Sequence, residues 1–204
     1  MGRIAGVTSE ETRDRLLRAA AGVFARLGYA KASISDITAA AELSSGSIYA
    51  HFGSKAELFV ATLRAHSERE IAGLLGGGDA IDVAAVIAAR GATLDRRSAA
   101  EGSLVVEAIV AAKHDPKVAE LLRDAFGQRE ARFAELLRGA QATGGIDDTV
   151  SSDAAARLIL VIALGSLLVA ALDLPAVDHD GWSGLIESLV DRFRGPMAPE
   201  SPNR

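Results

Sequence analysis

Few residues of this 204-residue chain have the types and spacing that chemistry requires. There is no cysteine, so disulfides, thiolate metal sites and cysteine nucleophiles are excluded. His51, His66, His114 and His179 are scattered, with no i, i+4 pair and no carboxylate at ligand spacing. Neither a metal site nor a catalytic triad is expected from them. No GxSxG, Walker or dinucleotide fingerprint occurs, so no cofactor and no enzymatic activity are expected. Two other kinds of feature remain. One is a short polar run, Ser44-Ser45-Gly46-Ser47-Ile48-Tyr49-Ala50-His51-Phe52. The other is a set of charged side chains on apolar faces.

The polar run spans barely two helical turns, and isolated helices below ~12–15 residues are marginal in water. Other elements must therefore hold it, and its outward side chains face a partner. Ile48 and Phe52, four apart, point inward with Leu43, leaving Ser45, Gly46, Ser47, Tyr49 and His51 mainly on other faces. Hydroxyls and helix N-termini suit phosphate contacts that set register. Ser33, Ser44, Tyr49 and Lys55 are the candidates for that role. Ser45, Gly46, Ser47 and Ala50 are left to meet base edges, the glycine permitting close approach. Duplex DNA is the expected partner, and packing alone is the competing role for Tyr49 and His51.

The flanking sequence supplies the elements that position this run. Thr8-Ser9-Glu10-Glu11 is a capping box opening a helix with Leu16, Ala20, Val23, Phe24 and Leu27 on one face, and Gly28 is expected to end it. Ser33-Ile34-Ser35-Asp36 opens a second helix with Ile34, Ile37, Ala40 and Ala41 inward. Ser44 is placed to cap the short helix, Gly53 stops it, and Ser54-Lys55-Ala56-Glu57 opens a fourth. A turn of about three residues between the second and third helices is the helix-turn-helix arrangement.

On these residues the chain resembles the tetracycline-repressor (TetR) family. The match runs over residues 9–63, through Phe24-Ala25-Arg26-Leu27-Gly28-Tyr29 and Ile34 to Ala41, and is most diagnostic over Tyr49-Ala50-His51-Phe52-Gly53-Ser54-Lys55-Ala56-Glu57-Leu58. It covers about a quarter of the chain. One departure is Glu42, which stands where the family usually has glycine; a left-handed Glu42 costs on the order of 1 kcal/mol. The resemblance implies that residues matching Tyr49, His51 and Lys55 touch DNA backbone or base edges. It also implies dimerisation through the last two helices, and release of DNA when an effector tilts the fourth helix.

The net charge of −5 conceals an asymmetry: residues 1–66 carry 8 Lys/Arg against 6 Asp/Glu, the remainder 14 against 21. A mildly basic unit on an acidic body fits a nucleic-acid reader with a separate second module. Residues 1–7 look like a loose leader, and Gly76-Gly77-Gly78 reads as a linker because no strand precedes it. The body is expected to form helices over 80–95, 99–113, 117–141, 152–172 and 181–194. The expected fold is all-α: a helix-turn-helix domain at 1–60, a helical effector-binding and dimerisation domain at 61–195, and a disordered tail at 196–204.

The apolar run Leu158 to Leu172 would reach about 22 Å, short of the ~30 Å hydrocarbon core, so a buried helix is expected rather than a membrane span. Packing against the last amphipathic helix and a second subunit would bury it on all sides. Arg129 lies amid Leu122, Phe126 and Phe133, and Arg90 amid Val83, Val86, Ile87 and Leu94. Such inward guanidiniums suit an anionic effector or structural carboxylates equally. Glu107 lies in an apolar run but aligns with Ser103 and His114, which favours a solvated face. The candidate effector set is Arg90, Glu107, Phe126, Arg129 and Phe133. The function expected is a ligand-responsive, cytoplasmic, dimeric repressor of a near-palindromic operator, released by a small molecule. The alternatives are an all-α carrier or enzyme with no DNA role, and an architectural DNA binder without a ligand.

Overall fold

A computed structural model describes residues 8–75 and 82–194, with backbone alone over 66–75. The leader at 1–7, the Gly76–Gly78 linker and the tail at 196–204 lie outside the described residues. Every regular element among the described residues is helical. They form two compact units, one of residues 1–73 and 100–126, the other of 74–99 and 127–204.

In the first unit, α1 (Ser9–Lys31) begins at the expected capping box: Thr8 Oγ1 accepts from Glu11 N at 3.1 Å and Glu11 accepts from Thr8 N at 2.7 Å. Gly28 does not end the helix. It breaks it, at φ 72° and ψ 165°, and one further turn follows before the cap at Ala32. Leu16, Leu17, Ala20, Val23 and Phe24 are buried, whereas Leu27 is exposed. The short α2 (Ile34–Ala41) is capped reciprocally by Ser33 and Asp36. Glu42 follows in the left-handed region at φ 50°, ψ 45°, where its carboxylate takes an ion pair from Arg15 at 2.7 Å. That exposed pair offsets part of the backbone cost.

The helix α3 (Ser45–His51) and α4 (Lys55–Leu75) close the three-helix reader. Ile37, Ile48, Phe52, Leu58 and Phe59 join the α1 side chains in one core, with Phe24 and Phe59 rings edge-to-face at 4.7 Å. The same core takes in Leu104, Ala108 and Ala111 of α6 (Ala99–His114) and Val118 and Leu122 from the first half of α7 (Pro116–Ala142). Burying each of the larger of these side chains is worth about 1.5–3 kcal/mol, so α6 is bound to the reader by the same force that holds the reader together.

The second unit contains α5 (Val83–Gly91), a 3-10 turn at Leu94–Arg96, the rest of α7, α8 (Ser152–Ala171) and α9 (His179–Asp191). The helix expected over 80–95 stops at Gly91, where a Cβ would meet Ile186 Cγ2 at 2.6 Å and where Trp182 Nε1 donates to the carbonyl at 2.9 Å. The close approach of α9 thus requires glycine there. Leu137, Ala155, Ala156, Ile186 and Val190 form the core, with Phe133 and Trp182 partly buried against it. Gln141 stitches the turn after α7 by donating to Asp147 O and Val150 O and accepting from Ser152 Oγ.

Candidate nucleic-acid interface

α3 is amphipathic in the simplest way. Ile48 is fully buried and Phe52, at its C-cap, nearly so, while Ser44, Ser45, Gly46, Tyr49 and Ala50 are exposed. Ser47, His51 and Lys55 are half-buried. Tyr49 is 60% exposed, high for an aromatic ring on a helix this short, and its side chain is available to a partner. Beside it, the Arg13 guanidinium lies 5.2 Å from the Phe52 ring centroid and adds a positive group at the end of α3.

Three of the candidate phosphate contacts are already engaged within the protein. Ser44 stands at the N-cap position, but its Oγ faces Ser47 Oγ at 3.2 Å rather than accepting the expected backbone N–H. Ser33 Oγ donates to Asp36 at 2.6 Å, which places a carboxylate beside the hydroxyl. Lys55 Nζ donates to Tyr29 O at 2.9 Å and Ala32 O at 3.0 Å and lies 4.4 Å from the Tyr29 ring centroid. Two of the three ammonium donors thus tie α4 to the end of α1.

The expected effector residues are not brought together within either unit. Glu107 and Phe126 belong to the first, Arg90, Arg129 and Phe133 to the second. Arg129 sets its guanidinium over the Phe133 ring, 5.9 Å from the centroid, and Arg90 is half-buried on α5. Glu107 is half-buried, and its Oε1 accepts the backbone N–H of Tyr29 at 2.6 Å. The partner lies 78 residues away in sequence, which a reading of α6 as one helix could not find.

Two further polar clusters escape the sequence for the same reason. The Tyr29 hydroxyl donates to Asp115 Oδ2 at 2.7 Å. Burial, and then this carboxylate, push the Tyr29 phenol well above its usual range, while the donated hydrogen bond holds Asp115 below the usual carboxylate value. In the second unit, His179 Nδ1 lies 2.7 Å from Asp95 Oδ2, whose side chain is 5% exposed, and so joins the start of α9 to the 3-10 turn.

α8 and α9 leave apolar side chains uncovered in the single chain. Leu158, Val161, Leu168, Val169 and Leu172 of the α8 region and Leu185 and Leu189 of α9 are exposed. At 20 residues, α8 is five longer than the run Leu158 to Leu172 and is long and apolar enough to cross a membrane by length and composition. Its buried residues, Ser152, Ala155, Ala156 and Leu160, all lie in its first half.

A short exposed helix seated by two buried anchors behind a left-handed turn, on a three-helix core, defines a helix-turn-helix DNA-binding protein. Comparison with known proteins narrows the class. Residues 16–62 match the model of bacterial regulatory proteins of the tetR family, and residues 82–195 match the C-terminal domain of BetI-type transcriptional repressors. The HTH-type transcriptional regulator UidR of Escherichia coli K12 is 28% identical over 159 residues, 78% of this chain and 81% of that protein. An uncharacterized HTH-type transcriptional regulator of Mycobacterium bovis is 31% identical over 145 residues, 68% and 72% of the two chains. Among solved structures, Salmonella enterica GusR superposes with a TM-score of 0.69 at 28% identity, over 90% of this chain and 95% of that one. A TetR-family regulator from Rhodococcus gives 0.74 at 20% identity, over 91% and 100%. The chain belongs to the TetR family. It is a ligand-responsive, DNA-binding transcriptional regulator, and its all-α fold is that of the family.

Proposed function

We propose that the protein works as a cytoplasmic homodimeric repressor rather than as an enzyme. It would place two copies of α3 in successive major grooves of a near-palindromic operator and leave when a small-molecule effector binds. The observation that carries this reading is the division of α3 into a buried anchor side and an exposed polar side. Two such helices one DNA turn apart, ~34–36 Å, read a palindrome as a dimer. Ser44, Ser45, Gly46, Ser47, Tyr49, Ala50 and His51 would meet the DNA, with Lys55 offering its remaining N–H. Ser33 would act chiefly by holding α2. None of these exposed residues is Arg, Asn or Gln, so base discrimination is modest and DNA shape supplies much of the specificity.

The exposed apolar side chains of α8 and α9 support a four-helix interface made by two copies. A membrane span fits less well. Asp153 and Arg157 sit in the first two turns of α8 and are ion-paired to Arg138 and Glu130, charges that a spanning helix would carry into the hydrocarbon. In this division of labour residues 1–60 read DNA, and residues 61–195 bind effector and dimerise. Arg90, Arg129 and Phe133 are the effector candidates retained. An effector need only bind the released state better than the operator-competent one. Unchanged effector response in Arg90→Ala and Arg129→Ala would remove them.

Electrophoretic mobility shift on duplex from upstream of the protein's own gene tests the main claim. Binding should fall steeply with added salt, since each neutralised phosphate releases counterions. No shift at low salt, or a shift indifferent to salt, would overturn it.

A further inference from the structure

Tyr29 is gripped at three points. Its backbone N–H donates to Glu107 of α6 at 2.6 Å, and its hydroxyl donates to Asp115, at the α6–α7 junction, at 2.7 Å. Its carbonyl accepts from Lys55, the first residue of α4, at 2.9 Å. The ring lies between Phe59, with centroids 4.9 Å apart, and the Lys55 ammonium. The break at Gly28 makes the grip possible. With helical dihedrals the next N–H would point back along α1, whereas φ 72° and ψ 165° turn it toward α6. Asp115 is itself fixed, because its other oxygen accepts from Lys117 N at 2.9 Å and Val118 N at 3.3 Å.

We infer that Glu107 and Asp115 are positioning residues of the DNA reader, setting through Tyr29 and Lys55 the angle at which α3 is presented. The inference deepens the DNA-binding reading above and rests on it. α3 has seven residues and is followed by α4 after only Phe52, Gly53 and Ser54, so its orientation is inherited from the first turn of α4. Lys55 clamps that turn to Tyr29 and Ala32, and α6 clamps Tyr29. A contiguous set of charge-assisted hydrogen bonds therefore runs from α6 to the reader. A displacement of α6 reaches α3 without passing along α4. Both carboxylates are committed to Tyr29, and both carry the charge sign that duplex repels.

That sign makes the test decisive. By charge alone, deleting a carboxylate from a DNA-binding protein strengthens binding. Loss of position does the opposite. The assay compares full-length wild type, Glu107→Ala, Glu107→Gln and Tyr29→Phe by fluorescence anisotropy. The duplexes are the upstream fragment and a scrambled one of equal length, with circular dichroism checking that each variant is folded at the assay temperature. Glu107→Ala should lose ~10-fold in affinity for the upstream duplex, about 1.4 kcal/mol, with no loss on the scrambled one. Glu107→Gln, which keeps an oxygen to accept the Tyr29 N–H, should recover most of it. Tyr29→Phe, lacking only the bond to Asp115, should lose ~3-fold and carries the test if Glu107→Ala does not fold. Folded variants that keep the wild-type preference for the upstream duplex would overturn the inference. A wild type without that preference would instead overturn the DNA-binding reading.

Discussion

Replacing Gly28 with alanine strikes the point where the α1 backbone and α6 meet. At φ 72° and ψ 165° an L-residue is strained, at a cost of about 1–3 kcal/mol. The new Cβ would lie 2.8 Å from Glu107 Oε1, 3.1 Å from Cδ and 3.3 Å from Oε2, so the carboxylate must withdraw. Withdrawal leaves the Tyr29 N–H without its acceptor, about 1–3 kcal/mol more. The lower chain entropy of alanine in the unfolded state returns only about 0.4–1 kcal/mol. The net expectation is a loss of roughly 1–5.5 kcal/mol. Urea unfolding followed by far-ultraviolet circular dichroism measures it. The single tryptophan, Trp182, lies in the second unit, and its fluorescence follows that unit separately. A loss below about 0.5 kcal/mol, the range of ordinary surface substitutions, would show that neither the strain nor the contact with Glu107 is as described.

Three further outcomes are expected. Glu42→Gly should change stability by less than about 1 kcal/mol, because relief of left-handed strain is opposed by loss of the Arg15 pair and by greater freedom of the unfolded chain; a change above about 2 kcal/mol in urea unfolding would mean one of these was misjudged. Leu189→Glu on the exposed face of α9 should leave the helical circular dichroism intact and convert the proposed dimer to monomer in sedimentation velocity, with upstream-duplex binding falling accordingly; a charged variant that remains dimeric places the interface elsewhere. Stability should fall at both pH extremes. Asp36 and Asp115 have folded values below their unfolded ones, so their contribution is present above about pH 4 and lost as pH falls. Tyr29 has a folded value above its unfolded one, so its contribution is present below about pH 10 and lost as pH rises. Tyr29→Phe should flatten the alkaline limb and leave the Asp36 part of the acid limb, as read by melting temperature against pH.

The four-residue capping signals at Thr8 and Ser33 were legible because a cap is built from neighbours in sequence, and both form as expected. Ser44 shows the limit of the same reasoning. Its position was right, but its hydroxyl pairs with the Ser47 hydroxyl one turn on and takes no backbone N–H. Lys55 was singled out as a DNA contact from its place in the motif, and the fold adds a second task, holding Tyr29 and Ala32. α8 read as buried on all sides by the last helix and a second subunit. In one chain its second half is only half-buried, with Leu168 and Val169 exposed.

Local order and composition determined by themselves that the chain is all-α, that a seven-residue helix is carried on two anchors, and that Ile48 and Phe52 face in while Tyr49 faces out. These follow from spacings of three and four residues, over which helical geometry is fixed. Tertiary structure alone decided what joins α6 to that helix. Tyr29 meets Glu107 and Asp115 across 78 and 86 residues, and His179 meets Asp95 across 84. No periodicity encodes such pairs, because each depends on where a side chain ends up after hydrophobic burial has brought two helices together. The polar run at residues 44–52 was visible in the sequence; the clasp that aims it appears only when the helices are packed.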